Sequence, residues 1–245
     1  MPQLLDLIDK SDRAGARGRS VAEEAADLLG NLHRAERGHA EDLVPTRGAR
    51  PSFDSLRGEY RAMFDRCRVE PRYRSNVDEH VEFLQRFRPR YENVGTALEM
   101  PWYFIGIIHS LEAGFNFRTH LHNGGSLSRR TVLVPKNRPE IWSPPNDRES
   151  SADDALRIKS FHEHKNWSLE QMLYRWELYN GFGYRNKRDS EGRLVYSPCL
   201  WSFSDQYRRG KYVRDGVWDP SYVSQQCSAC AMLKALITGG HVASL

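Results

Sequence analysis

The chain has 245 residues, 39% hydrophobic and 28% charged, which is enough apolar material for a real core and excludes a globally disordered chain. Its 36 basic and 32 acidic residues leave a formal charge of +4, which permits a polyanionic partner such as nucleic acid or cell wall without requiring one. The length suits one large domain, or one domain with an appendage.

Residues 1–50 contain no aromatic side chain. In "SVAEEAADLLGNLHRAE", Val21, Ala25, Leu28, Leu29 and Leu32 share a helical face, and Ser20 with Glu23 fits a capping box. A docking helix, a delivery signal and a plain surface helix all fit this N-terminal extension. The opening apolar run is short and carries Asp6 and Asp9, so it is no signal peptide. Synthesis in the cytoplasm is the expectation, with any target outside reached through a delivery partner. "VPTRGARPS" then reads as a linker, placing the main domain at 51–245.

From Phe53 the pattern is helical. "FDSLRGEYRAMFDRC" aligns Phe53, Leu56, Tyr60, Met63, Phe64 and Cys67. "NVDEHVEFLQRFRPRYENVGTAL" aligns Val77, Val81, Leu84 and Phe87, with Pro89 set to kink or end the regular part. "PWYFIGIIHSLEAG" has Pro101 in a first-turn position and stops near Gly114. It is apolar on nearly every face, the mark of a central buried helix, but is too short to span a bilayer. Prolines and glycines punctuate residues 115–150, which read as loops with a small β-hairpin. Helices resume at "SADDALRIKSFHEHK", "SLEQMLYRWELYNG" and "SYVSQQCSACAMLKALITGG", the last stopped by Gly239. Its Cys227 and Cys230 form a CxxC, but no second CxxC completes a four-thiolate site. The four cysteines are expected to be buried small hydrophobes or free thiols.

"HSLEAGFNFRTHLHNGG" concentrates the chemistry. Glu112 follows Ile108 and Ile105 on one helical face. A carboxylate extending a buried apolar face is desolvated, which raises its pKa and suits a general acid. A solvent-facing helix end, or a pair with Arg118, is the plainer reading of the same position. A metal site would take His120 and His122, with His109 or the His162–His164 pair. No HExxH occurs, however, and no third ligand has a diagnostic spacing. No metal or cofactor is expected, and His120 and His122 are read as supports that hold the loop below Glu112.

"IIHSLEAGFNF" resembles the helix end of lysozyme-like glycosidases and lytic transglycosylases, and "YNGFGY" is similar to their Tyr-Asn-Ala-Gly element. "FRTHLHNGGSL", "VPKNRPE", "SADDAL", "YSPCLWSFSDQYRRGKYV" and "DPSYVSQQ" extend the resemblance to a bacterial and phage lysozyme-family group over residues 76–238. It implies a mainly α, lysozyme-like fold, with a small loop or β-hairpin region after the central helix. The implied activity is cleavage of the peptidoglycan glycan strand, by a muramidase or a lytic transglycosylase, with Glu112 as the catalytic acid. Two departures stand out: Ala113 replaces the usual Ser, and Gly125 replaces the acid of "HLHNGDPL". Loss of that acid favours a single-acid mechanism assisted by the substrate's own N-acetyl group or C6 hydroxyl.

Asn123 and Asn180 offer amides suited to N-acetyl groups. Tyr179, Tyr184, Trp201 and Tyr207 offer ring faces for sugars, although core packing competes for each. Lys211 and Arg208–Arg209 suit peptide-stem carboxylates. The expected partners are the glycan strand and a delivery or immunity protein, for a chain acting as a monomer. Nucleic acid is not expected, because no motif enters a groove. The alternative is a non-catalytic wall-binding or structural module with a degenerate site.

Overall fold

The computed structural model describes residues 50–141, 148–214 and 216–245. The capping box at Ser20 and the apolar face of residues 21–32 lie outside them. Eight α-helices occur among the described residues: α1 Phe53–Arg66, α2 Arg74–Arg86, α3 Arg88–Leu98, α4 Trp102–Ala113, α5 Arg148–Ile158, α6 Leu169–Asn180, α7 Pro198–Trp201 and α8 Ala229–Thr238. They are joined by one small antiparallel hairpin, β1 Lys211–Arg214 with β2 Val217–Asp219.

Local chemistry sets the helix ends. Ser52 caps α1 by accepting from the Ser55 N–H, and Ser168 caps α6 by accepting from Gln171. Pro89 does divide the long apolar pattern: α2 stops, Phe87 turns the chain, and Pro89 lies in the first turn of α3, where a missing N–H costs nothing. Gly114 ends α4 in the left-handed region at φ 54, its N–H returning to the Ser110 carbonyl.

The α4 helix is the centre of the packing. Every residue from Phe104 to Ala113 is buried. It contacts α2, α3 and α8, while α1 lies against α6. Gly106 permits the close approach, since a Cβ there would meet Leu84 Cδ2 at 2.7 Å and the Tyr91 ring at 3.0 Å. Gly106→Val is therefore expected to destabilise the fold by about 1–3 kcal/mol through overpacking, although valine is the better helix former. The urea midpoint should fall with the m-value unchanged. Between α1 and α6, the buried Glu177 accepts from Tyr60 Oη at 2.6 Å and from Arg185 Nη2 at 2.5 Å. These bonds offset part of the cost of burying the carboxylate, whose pKa burial still holds above its ordinary value.

Three expected elements differ. The hairpin is Lys211–Asp219, whereas the loop after α4 carries only an isolated Thr119–Ser126 bridge among its described residues. The β-like run "RTVLVP" leaves Val132 and Val134 about half exposed, and Thr131 turns back onto the carbonyls of Pro135 and Arg138. A run closed on itself has no edge to offer a partner strand. The last helix begins at Ala229, because Ser228 caps it by accepting from the Ala231 N–H; Val223 and Cys227 precede it. The "FHEHK" stretch leaves α5 as a single 3-10 turn, Phe161–Glu163, after Ser160 adopts φ 54. All four cysteines are buried free thiols, and burial pushes the Cys227 and Cys230 thiols up in pKa.

Candidate active site

Glu112 occupies the last turn of α4 and is 7% exposed. Two more buried carboxylates occur among the described residues. Glu177 has Tyr60 and Arg185, and Asp189 Oδ1 accepts the Glu191 and Arg193 N–H groups of a turn.

The loop beneath Glu112 is a tight return. His120 N–H donates to the Gly125 carbonyl at 2.7 Å, and Gly124 N–H donates to the His120 carbonyl at 3.0 Å. Gly124 has φ 69, and a Cβ there would lie 2.9 Å from the backbone oxygen of Glu112. Glycine is required on both counts, conformation and space. Gly125 is different: it lies outside the left-handed region, and a Cβ would meet only the Asn123 side chain at 3.0 Å.

Both loop histidines are anchored to α5. His120 Nε2 lies 2.8 Å from the Arg129 carbonyl, so it carries the proton, and Nδ1 accepts from Ser151 Oγ at 2.7 Å. His122 Nε2 donates to Asp154 Oδ2 at 2.7 Å, and Arg138 holds the same carboxylate with Nη2 at 2.5 Å from Oδ1. Burial pulls the His122 pKa down to about 4, against the pull of Asp154, and lowers that of His120 in the same direction. The imidazoles are therefore neutral braces, each with defined partners. Among the described residues, no three His, Cys, Asp or Glu side chains gather as a metal site would need. His109 is wholly buried against Tyr91, with Nδ1 2.9 Å from its hydroxyl, while His162 and His164 belong to the 3-10 turn and its exit.

The predicted binding residues divide into two groups. Tyr179, on α6, donates its hydroxyl to the Leu121 carbonyl at 2.7 Å and is 3% exposed. It braces the loop instead of presenting a ring to solvent. Tyr179→Phe leaves that carbonyl without its donor and is expected to cost about 1–3 kcal/mol, read as a lowered urea midpoint. Asn123 stays at the loop, its Oδ1 accepting from Gly125 and its Nδ2 donating to Val134. Asn180 ends α6 and donates back to the Trp176 carbonyl at 3.3 Å.

The second group lies apart from these loop contacts. Tyr184 packs edge-on to Tyr212 and Trp218, and Tyr207 Oη donates to the Gly210 carbonyl at 3.1 Å. Lys211 begins β1, buried, its Nζ 5.6 Å from the Tyr222 ring centre. Trp201 is buried within α7. Tyr184, Trp201 and Tyr207 are thus core and hairpin packing, with no ring face turned outward for a sugar. Large aromatics gain more from burial than from an exposed face, and the hydroxyls of Tyr184 and Tyr207 find backbone partners inside.

Sequence reasoning missed the residues that do the bracing. Ser151 and Asp154 share one face of α5 at i,i+3 spacing within "SADDAL", and that spacing was a usable signal. Gln226 was also missed: its Nε2 donates to the Leu111 carbonyl at 3.0 Å, satisfying a group at the end of α4 beside Glu112. No family model matches the chain, and neither a curated protein nor a solved structure matches it.

Proposed function

We propose that the chain is a peptidoglycan glycosidase in which Glu112 is the general acid. The observation that carries this reading is a carboxylate buried at the end of an apolar helix, over a loop braced at His120, His122 and Leu121. Glycoside cleavage needs such a group: the acid gives its proton to the bridging oxygen as the C–O bond breaks. The carbocation-like sugar is then captured either by water or by the substrate's own C6 hydroxyl, which loses a proton to the carboxylate. Gly125 leaves no second acid on the loop, which fits a single-acid mechanism. The lysozyme-like resemblance of residues 76–238 supports the same substrate class.

A second reading, a wall-binding or structural module without turnover, draws on the burial of Tyr184, Trp201 and Tyr207, which removes the rings a glycan groove would use. A zymogram on purified peptidoglycan, wild type against Glu112→Gln, separates the two. Clearing by wild type alone supports the glycosidase, whereas binding with no clearing by either supports the module. Mass spectrometry of released muropeptides then distinguishes a hydrated reducing end from an anhydro sugar.

A further inference from the structure

Away from the loop below Glu112, a cavity of about 350 Å³ opens between the start of α6 and the chain after α5. Arg175 and Lys159 line it with Arg50, and Phe53 and Phe161 form part of its apolar wall. Among the described residues, no acidic side chain lines it. The neighbouring acids on α6 are engaged elsewhere, Glu170 with Arg61 and Glu177 with Arg185.

Arg175 is the unusual member. It is 2% exposed, yet its Nη1 has no hydrogen-bond partner, and its Nη2 reaches only the His164 carbonyl at 3.3 Å. Its guanidinium lies 4.1 Å from the Trp167 ring centre, which fixes the plane without supplying negative charge. Burial pulls its pKa down to about 10, with no acid opposing the shift. A buried charge normally has a counter-charge, because desolvation is otherwise uncompensated.

We infer that this cavity is a phosphate-binding site, taking inorganic phosphate or the phosphate group of a small monoester. Two guanidinium groups belong to it, Arg175 inside and Arg50 at the exposed mouth, where Arg50 Nε is held by Tyr174 Oη at 2.9 Å; Lys159 lines the wall with its Nζ 4.9 Å from the Tyr179 ring centre. A dianion matches that charge better than a carboxylate does. The guanidinium fork suits its oxygens. Asn166, also on the lining, accepts from the Ser168 N–H with Oδ1, which leaves its amide NH₂ as the group able to donate to a ligand. The apolar walls suit the organic part of an ester. The site does not depend on the glycosidase reading, and its test reads binding alone.

The full chain is melted and titrated calorimetrically with inorganic phosphate, against acetate and sodium chloride at matched ionic strength. Phosphate is expected to raise Tm in a saturable way that chloride and acetate do not reproduce. Arg175→Met should weaken phosphate binding roughly tenfold or more. It should also melt higher than wild type without phosphate, because an uncompensated buried charge is gone. Arg50→Gln, at the exposed mouth, supplies the same reading if the Met variant does not fold: a weaker phosphate shift on an unchanged circular dichroism spectrum. The inference is overturned if wild type melts identically in phosphate and chloride. Equally, it fails if the variants keep the full phosphate shift.

Discussion

Glu112→Gln should lower the rate of peptidoglycan clearing by about 10²–10⁴-fold while leaving the fold intact. The amide keeps the size and much of the hydrogen-bonding capacity of the acid but has no proton to release. Because the side chain is 7% exposed, a shape-conserving change avoids the cavity that alanine would leave. Circular dichroism and Tm should stay close to wild type, separating loss of chemistry from loss of structure. The loss should fall on kcat more than on KM, since proton donation matters only as the glycosidic bond breaks. A Gln variant that clears the wall as fast as wild type would remove Glu112 from the mechanism. A wild type with no clearing at all would leave only the binding-module reading.

The elements that local pattern determines were legible in the sequence. The apolar stripe of α1, the break at Pro89, the wholly buried α4 and the stops at Gly114 and Gly239 all rest on nearest-neighbour chemistry. What was illegible depends on contacts far along the chain. Tyr179 reads as a sugar platform from its motif, but its hydroxyl is used 58 positions away, at Leu121. Asp154 has no role assigned from sequence, although its i,i+3 spacing from Ser151 was a signal, because His122 and Arg138 close on it from elsewhere in the chain. The hairpin was misplaced because "RTVLVP" has strand-forming residues but no partner, whereas "KYVR" and "VWD", less conspicuous in sequence, have each other. Arg175 shows the same limit. Its place in α6 is obvious, but that it has no acid beside it among the described cavity residues appears only once the fold is seen, with Glu170 and Glu177 of α6 engaged elsewhere.

Acid should unfold the protein from a pH well above the carboxylate range. His80 and His122 are both buried, and burial pulls each pKa down to about 4. His109 and His120 are shifted the same way. In the unfolded chain each imidazole titrates near its ordinary value of about 6.5. Below that pH the unfolded state therefore binds more protons, and stability must fall as pH falls. The stabilisation is fully present above pH 6.5 and is lost progressively down to about pH 4, at about 3 kcal/mol each for His80 and His122. Together that rivals the whole stability of many domains, about 5–15 kcal/mol. Asp154 opposes the shift at His122 and Arg138 reinforces it, so the balance depends on that triad staying closed. Urea midpoints measured from pH 7.5 to 4.5 should decline steeply below about 6.5. His122→Gln should be less stable at neutral pH, having lost the Asp154 bond, but should show a shallower decline, by up to about 1.4 kcal/mol per pH unit. A flat profile between pH 7 and 5 would mean that these histidines take up protons equally in the folded and unfolded chain. The burial-lowered pKa assigned to His122 in the loop below Glu112 would then be wrong as well.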